Sequence, residues 1–223
     1  MTRNGSVSPI PALAVDVQFR WYKRGLPSLQ SSHPPSVDAS LLRNYVSAGY
    51  AGMVVIPKPT RFTYFNALVA IQLWDKFSDL KLVMKLPGVQ AGSFAGSRVE
   101  RYVRVPRTVQ KLDELEKASS AELLVFPFRA VQYGADGYDT LDEGEFFLDM
   151  ASMLWLIGPV TKIIEGRSDI SFACLGERYD PDHTGNSDEI PIVAYEGHRR
   201  LYVRPERELN EKYYVLIGWA PKQ

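Results

Sequence analysis

The chain is poor in cysteine, poor in histidine and carries no net charge. One cysteine in 223 residues, Cys174, excludes an internal disulfide. A secreted domain of this kind usually carries several paired cysteines, so a reducing compartment is expected. Cys174 lies in the apolar run 170–175, which predicts an inert core thiol. The three histidines, His33, His183 and His198, all fall in segments that read as loops or turns, and no pair has metal-ligand spacing on a helix. No uninterrupted run of about 18 apolar residues occurs, which argues against a membrane-spanning helix. The longest candidate, 146–160, is interrupted by Asp149 and ends at Gly158 and Pro159. Residues 1–11 hold Arg3 among small and polar side chains, without the apolar core of a signal peptide. We read 1–11 as a flexible arm ahead of one domain over 12–223, and expect an intracellular protein.

What the chain does have is an uneven distribution of charge. Residues 1–111 hold 15 Lys and Arg against 5 Asp and Glu, and residues 112–223 hold 11 against 21. The split suggests a basic surface for phosphate or anionic lipid, and an acidic one for a basic partner such as another copy of the chain. The competing reading is that both halves fold together and the charges intermix.

Apolar periodicity sets the expected elements. Leu13, Val15, Val17, Phe19 and Trp21 alternate with polar or small residues and predict a half-buried strand. Asp38 is placed to cap a helix that stops at Gly49, and 53–56 reads as a short buried strand. Helical spacing predicts helices over 64–77, over 108–118 capped by Thr108, and over 146–157 as the central core helix. Strands are expected over 80–86, 123–128, 160–164, 170–175, 190–195, 201–203 and 213–219. The segments 88–97 and 177–189 read as mobile. Strands after Val160 lack intervening helices, which disfavours a doubly wound parallel sheet. The fold class expected is α+β: one domain, a mixed or antiparallel sheet, and about four helices packed on it.

Few residues point to catalysis. Asp180, Asp182 and His183 bring cation donors together, but a loop of Asp, Gly and Asn is ordinarily a solvated turn. Gly88, Gly92 and Gly96 follow a strand without the Lys and Ser or Thr of a phosphate-cradling loop. Glu143, Glu145 and Asp149 offer paired carboxylates, which an acidic first helical turn explains equally well. No catalytic residue, metal or cofactor is therefore expected.

The stretch 98–107 carries more signal. Arg98, Arg101, Arg104 and Arg107 recur every third residue with Tyr102 among them, a pattern of guanidinium forks for phosphate and a ring to stack on a base. Lys81 and Lys85 on one strand face, with Lys58 and Arg61 in the proline loop, would extend this into a basic patch. His198, Arg199, Arg200, Arg204 and Arg207 form a second, smaller cluster about a turn.

Met53 to Ile56, the basic loop through Arg61, Thr63, Tyr64, an alanine-rich apolar helix and the Trp74–Asp75 pair follow one another in an order that resembles the start of the globular core of rhabdovirus matrix proteins. The resemblance implies a small non-enzymatic viral structural protein that self-associates in virion assembly, condenses nucleocapsid and meets anionic membrane from the inside as a peripheral protein. The chain departs from that pattern in its arm, which has Arg3 instead of a lysine cluster, and after Pro34 and Pro35, where the tyrosine of a budding motif is missing. The functional expectation is a matrix-type assembly protein whose partners are nucleic acid or nucleoprotein, an anionic membrane surface and other copies of itself. The alternatives are an RNA-binding accessory protein of silencing type, and an enzyme on a small substrate whose site forms only on folding.

Overall fold

The computed structural model describes residues 15–30, 32–58, 81–84, 102–135, 140–156, 169–180, 182, 184–196 and 200–220. Helix α1 (Val15–Gly25) leads through a 3-10 turn, Pro27–Leu29, to helix α2 (Ala39–Ser47). Strands β1 (Gly52–Pro57), β2 (Lys81–Met84) and β3 (Tyr102–Arg104) precede helix α3 (Pro106–Ala118). Strands β4 (Leu123–Gln132) and β5 (Glu145–Phe147) come before a helix, α4, described over 150–156. Five more strands follow: β6 (Asp169–Ala173), β7 (Glu177–Tyr179), β8 (Ile190–Glu196), β9 (Arg200–Glu206) and β10 (Tyr213–Trp219).

The main sheet runs β1-β4-β10-β6-β8-β9-β2, with β5 also pairing β10, and β3 and β7 form a separate two-stranded ribbon. It is mixed: β10 runs parallel to β6, and β2 parallel to β9, while its other pairs are antiparallel. With four helices among the described residues, this is the α+β class that the periodicity predicts.

Both faces of the sheet centre are dry. In β10, Leu216 joins a large cluster with Phe126, Phe128, Phe172 and Val193, on which Phe19 and Tyr22 of α1 and Met150, Met153, Leu154 and Trp155 of α4 pack. Its neighbours Val215 and Ile217 point the other way, to a smaller cluster with Val131, Ala173, Ile192 and Ala194. A strand buried on both sides reads as an unbroken apolar run, as 213–219 does. Gly218 lets the layers close, since a Cβ there would stand 2.7 and 2.8 Å from the rings of Phe126 and Phe146.

Four expectations change. Residues 15–25 form a helix, because Gln18, Phe19, Trp21 and Tyr22 are buried together with Leu26 on one helical side, which the period-two alternation of 13–21 hid. The predicted helix over 146–157 divides: 145–147 pair with β10 as a strand, and the helix begins at 150. Helix α3 starts one turn early at Pro106, and Thr108 does not cap it, because its hydroxyl donates to the Phe147 carbonyl at 2.9 Å. Val109, expected on the buried face, is exposed, and Thr108, Lys111, Leu112 and Leu115 face inward. Finally, 177–189 contains β7, with Glu177, Tyr179 and Asp180 buried. The expected helix at 64–77, strand at 160–164 and loop at 88–97 lie outside the described residues, as does the arm.

The edge of β1 is closed from the side. Gln18 of α1 offers its carboxamide to the outer backbone of β1, accepting from Val55 N at 2.9 Å and donating to Met53 O at 2.8 Å. Beside it, the Tyr22 hydroxyl lies 2.5 Å from Val55 O and 3.0 Å from Trp155 O, and burial raises its pKa. One helix thus does for β1 what a neighbouring strand would do.

Candidate functional site

Helix α3 and the segment 142–149 meet around a ladder of arginines and carboxylates. Glu145 is fully buried and accepts from Arg129 Nε at 2.8 Å and Nη2 at 3.0 Å, from the Tyr50 hydroxyl at 3.1 Å and from Asp142 N at 3.0 Å. Asp149, also buried, caps α4 by accepting from Ser152 N at 2.9 Å, and Arg104 pairs with its other oxygen. Glu177 adds a second carboxylate to that helix start, accepting from Met150 N at 3.1 Å. Two of the three carboxylates weighed as a catalytic set are therefore structural anchors, each held by an arginine.

The predicted basic patch is redistributed accordingly. Arg104 turns inward to Asp149. Tyr102 is only 8% exposed, its ring 5.0 Å from that of Tyr179, and burial together with Tyr179 and Glu177 raises its pKa, so it offers no face to a base. Lys58 donates to the carbonyls of Glu116 and Ser119 at 3.2 and 2.8 Å, placing a cation at the negative end of α3. Lys81 lies on the β2 backbone, opposite Arg200 in the register with β9. Arg61, Lys85, Arg98 and Arg101 lie outside the described residues. In the smaller cluster Arg204 pairs with Glu206 at 2.7 Å and Arg207 with Glu189 at 3.0 Å. The charges of the two halves of the chain intermix at Arg104 and Asp149, as the competing reading of the charge split requires.

The suggested cation loop is also occupied from within. Asp180 accepts from Thr184 N at 3.1 Å and Gly185 N at 2.7 Å, and no cluster of three or more His, Cys, Asp or Glu placed to hold a metal occurs among the described residues. Cys174 is buried, and burial raises its pKa, which fits the expected inert thiol. No helix among the described residues is long and apolar enough to cross a membrane.

Arg107 behaves differently from its neighbours. Its Nε donates to Glu145 O at 2.7 Å and its Nη2 to Asp142 O, so neutral carbonyls hold it, and among the described residues it has no ion pair. It lines a groove of about 430 Å³ with Pro106, Gln110, Lys111 and Glu143. Lys111 is 7% exposed and its ammonium meets Glu114 at 2.7 Å. Lys111 and Gln110 donate to that carboxylate and lower its pKa. Lys111 escaped the sequence reading, although it stands four residues after Arg107 and so on the same helical face.

A second surface feature is apolar. Helix α2 buries none of its residues, and Leu41, Leu42 and Val46 are 42%, 36% and 53% exposed. With Tyr45 they form one arc of the helix, opposite Ser40, Arg43, Asn44 and Ser47. Tyr45 anchors the helix, its ring centroid 6.0 Å from Tyr50 and 5.4 Å from Trp219. The arc is legible in 39–47 itself, where the apolar residues stand at 41, 42, 45 and 46. Comparison with protein-family models, with curated proteins and with solved structures returns no match to this chain.

Proposed function

We propose that this is a non-enzymatic assembly protein of matrix type, which associates with copies of itself and engages an anionic partner such as nucleic acid or nucleoprotein. The observation that carries the reading is α2, a helix anchored through Tyr45 whose flanking apolar residues Leu41, Leu42 and Val46 are exposed. Apolar side chains massed on one side of an exposed helix are what a protein interface uses. Zero net charge removes the repulsion between copies. The buried carboxylates support the non-enzymatic side of the reading, because Glu145 and Asp149 are committed to arginine and backbone partners. Arg107, held by backbone carbonyls at the wall of a groove, is a described cation that an anionic partner could meet.

Sedimentation velocity over a concentration series tests the reading. The wild-type chain is expected to move to larger species as concentration rises, and Leu42→Glu/Val46→Glu to stay monomeric with unchanged circular dichroism. A wild-type monomer at every concentration would overturn self-association. RNA binding over a salt series tests the anionic partner separately.

A further inference from the structure

We infer that residues 33–49 form a strap latched by Tyr45, which opens as a unit while the sheet stays folded and so controls how much of the chain presents the α2 arc to another copy. The strap has fixed ends. Ser32 O accepts from Lys23 Nζ of α1 at 3.1 Å, and Ala51 N donates to Phe128 O of β4 at 2.7 Å. Between these points no residue from 33 to 49 is buried. The hydrogen bonds that 33–49 makes among the described residues all stay within 38–50. Asp38 accepts from the Ser40 N–H and hydroxyl, Arg43 Nε donates to Ala39 O, and the amides of Ala48, Gly49 and Tyr50 donate back to Asn44, Tyr45 and Val46.

One side chain of the helix holds it down. Tyr45 is the only residue of α2 that is even half-buried, its ring 6.0 Å from Tyr50 and 5.4 Å from Trp219. The seat for this ring is rigid, because Tyr50 is buried and bonds to Glu145 at 3.1 Å, and Trp219 belongs to β10. Off that seat the helix has little to keep it. Nine residues are fewer than the roughly 12–15 that an isolated helix needs in water, and Ser40, Asn44, Val46 and Ser47 are weak helix formers. Docking and coiling are therefore coupled, and loss of the Tyr45 contact melts α2. Gly49 is the pivot: it is exposed, and its φ of 91° is one that glycine adopts and leaves without strain. Leu41, Leu42 and Val46 share one arc only while the segment is helical, so the latched form is the one that offers the arc.

The role in association rests on the proposed function, whereas the opening itself does not. Hydrogen exchange on the whole chain, at the lowest concentration of the sedimentation series, tests the opening. After correction for intrinsic rates, α2 amides are expected to exchange at least about a hundredfold faster than those of β1 and β4, the mark of local opening. Tyr45→Ala should bring the α2 amides within about tenfold of unstructured-peptide rates and leave β1 and β4 unchanged. Tyr45→Phe should match the wild type, since the ring makes the contacts. Wild-type α2 amides as slow as those of β1, or a Tyr45→Ala chain in which α2 keeps its protection, would overturn the strap. In sedimentation, Tyr45→Ala should associate at least about tenfold more weakly than the wild type, because affinity falls with the competent fraction. Undiminished association with α2 melted would remove the strap from assembly. A wild-type chain that stays monomeric would overturn self-association and the strap's part in it, with the opening still decided by exchange.

Discussion

Arg129 and Glu145 reach each other around the central strand β10: Arg129 stands on β4 opposite Ile217, Glu145 on β5 opposite Trp219, and two hydrogen bonds of 2.8 and 3.0 Å join them. A bidentate pair in a site closed to water is strong only while both partners are present. Arg129→Met should therefore cost about 3–5 kcal/mol, since it leaves a carboxylate buried without its counter-charge. Arg129→Met/Glu145→Gln should regain much of that loss, because the carboxamide carries no charge, its oxygen can still accept from Asp142 N, and its NH2 can donate to the Tyr50 hydroxyl oxygen. Urea unfolding of the two singles and the double gives the coupling directly. Additive effects would show that the two side chains do not act as a pair.

Gln18 closes the outer edge of β1 through Val55 N and Met53 O. Gln18→Met keeps the bulk of the side chain and removes both bonds, leaving a buried donor and a buried acceptor unpaired. A cost of about 2–4 kcal/mol is expected. Faster hydrogen exchange at the Val55 amide should accompany it, and so should a tendency to aggregate through the freed strand edge. Unchanged exchange at Val55 would mean that the edge is protected by something other than this side chain.

Asp38 gives α2 a pH dependence of its own. The Ser40 backbone N–H, at 2.7 Å, and then the Ser40 hydroxyl hold its pKa below the ordinary 3.8. A carboxyl whose folded pKa lies below its unfolded one contributes stability fully above the unfolded value, and loses it as pH falls through the folded value. The α2 amides should therefore exchange faster as pH drops below about 4, once the intrinsic pH dependence of exchange is removed. Asp38→Asn keeps a capping oxygen and should flatten that profile. A profile that Asn leaves unchanged would place the dependence elsewhere.

The elements legible in the sequence are those whose burial pattern is one-sided or complete. The buried strands at 53–56 and 213–219, and the capped helix at 39–47, lie where periodicity and capping place them. The failures share a cause. Alternation over 13–21 satisfies a strand, but the same residues with Tyr22 and Leu26 satisfy a helix, and only the need to cover β1 selects between them. Likewise Phe146 and Phe147 fit the spacing of the helix behind them until pairing with β10 claims them. At the candidate site the arginine repeat runs into the start of α3, but it does not say which way Arg104 and Arg107 turn. Whether Arg104 faces solvent or Asp149 depends on a partner 45 residues away, which no local pattern contains.

The place of β10 in the sheet sets the order in which the chain can fold. It is the last described strand in sequence, yet it lies between β4 and β6 and also receives β5. During synthesis, β1 and β4 can pair as soon as both exist, and so can β6, β8 and β9. The two groups remain separate half-sheets, each with an apolar face and an open edge, until Tyr213–Trp219 arrives to join them. Such long-range closure is slow and leaves sticky surface exposed while it waits. The finished surface therefore exists only once the strand that unites the sheet has been made.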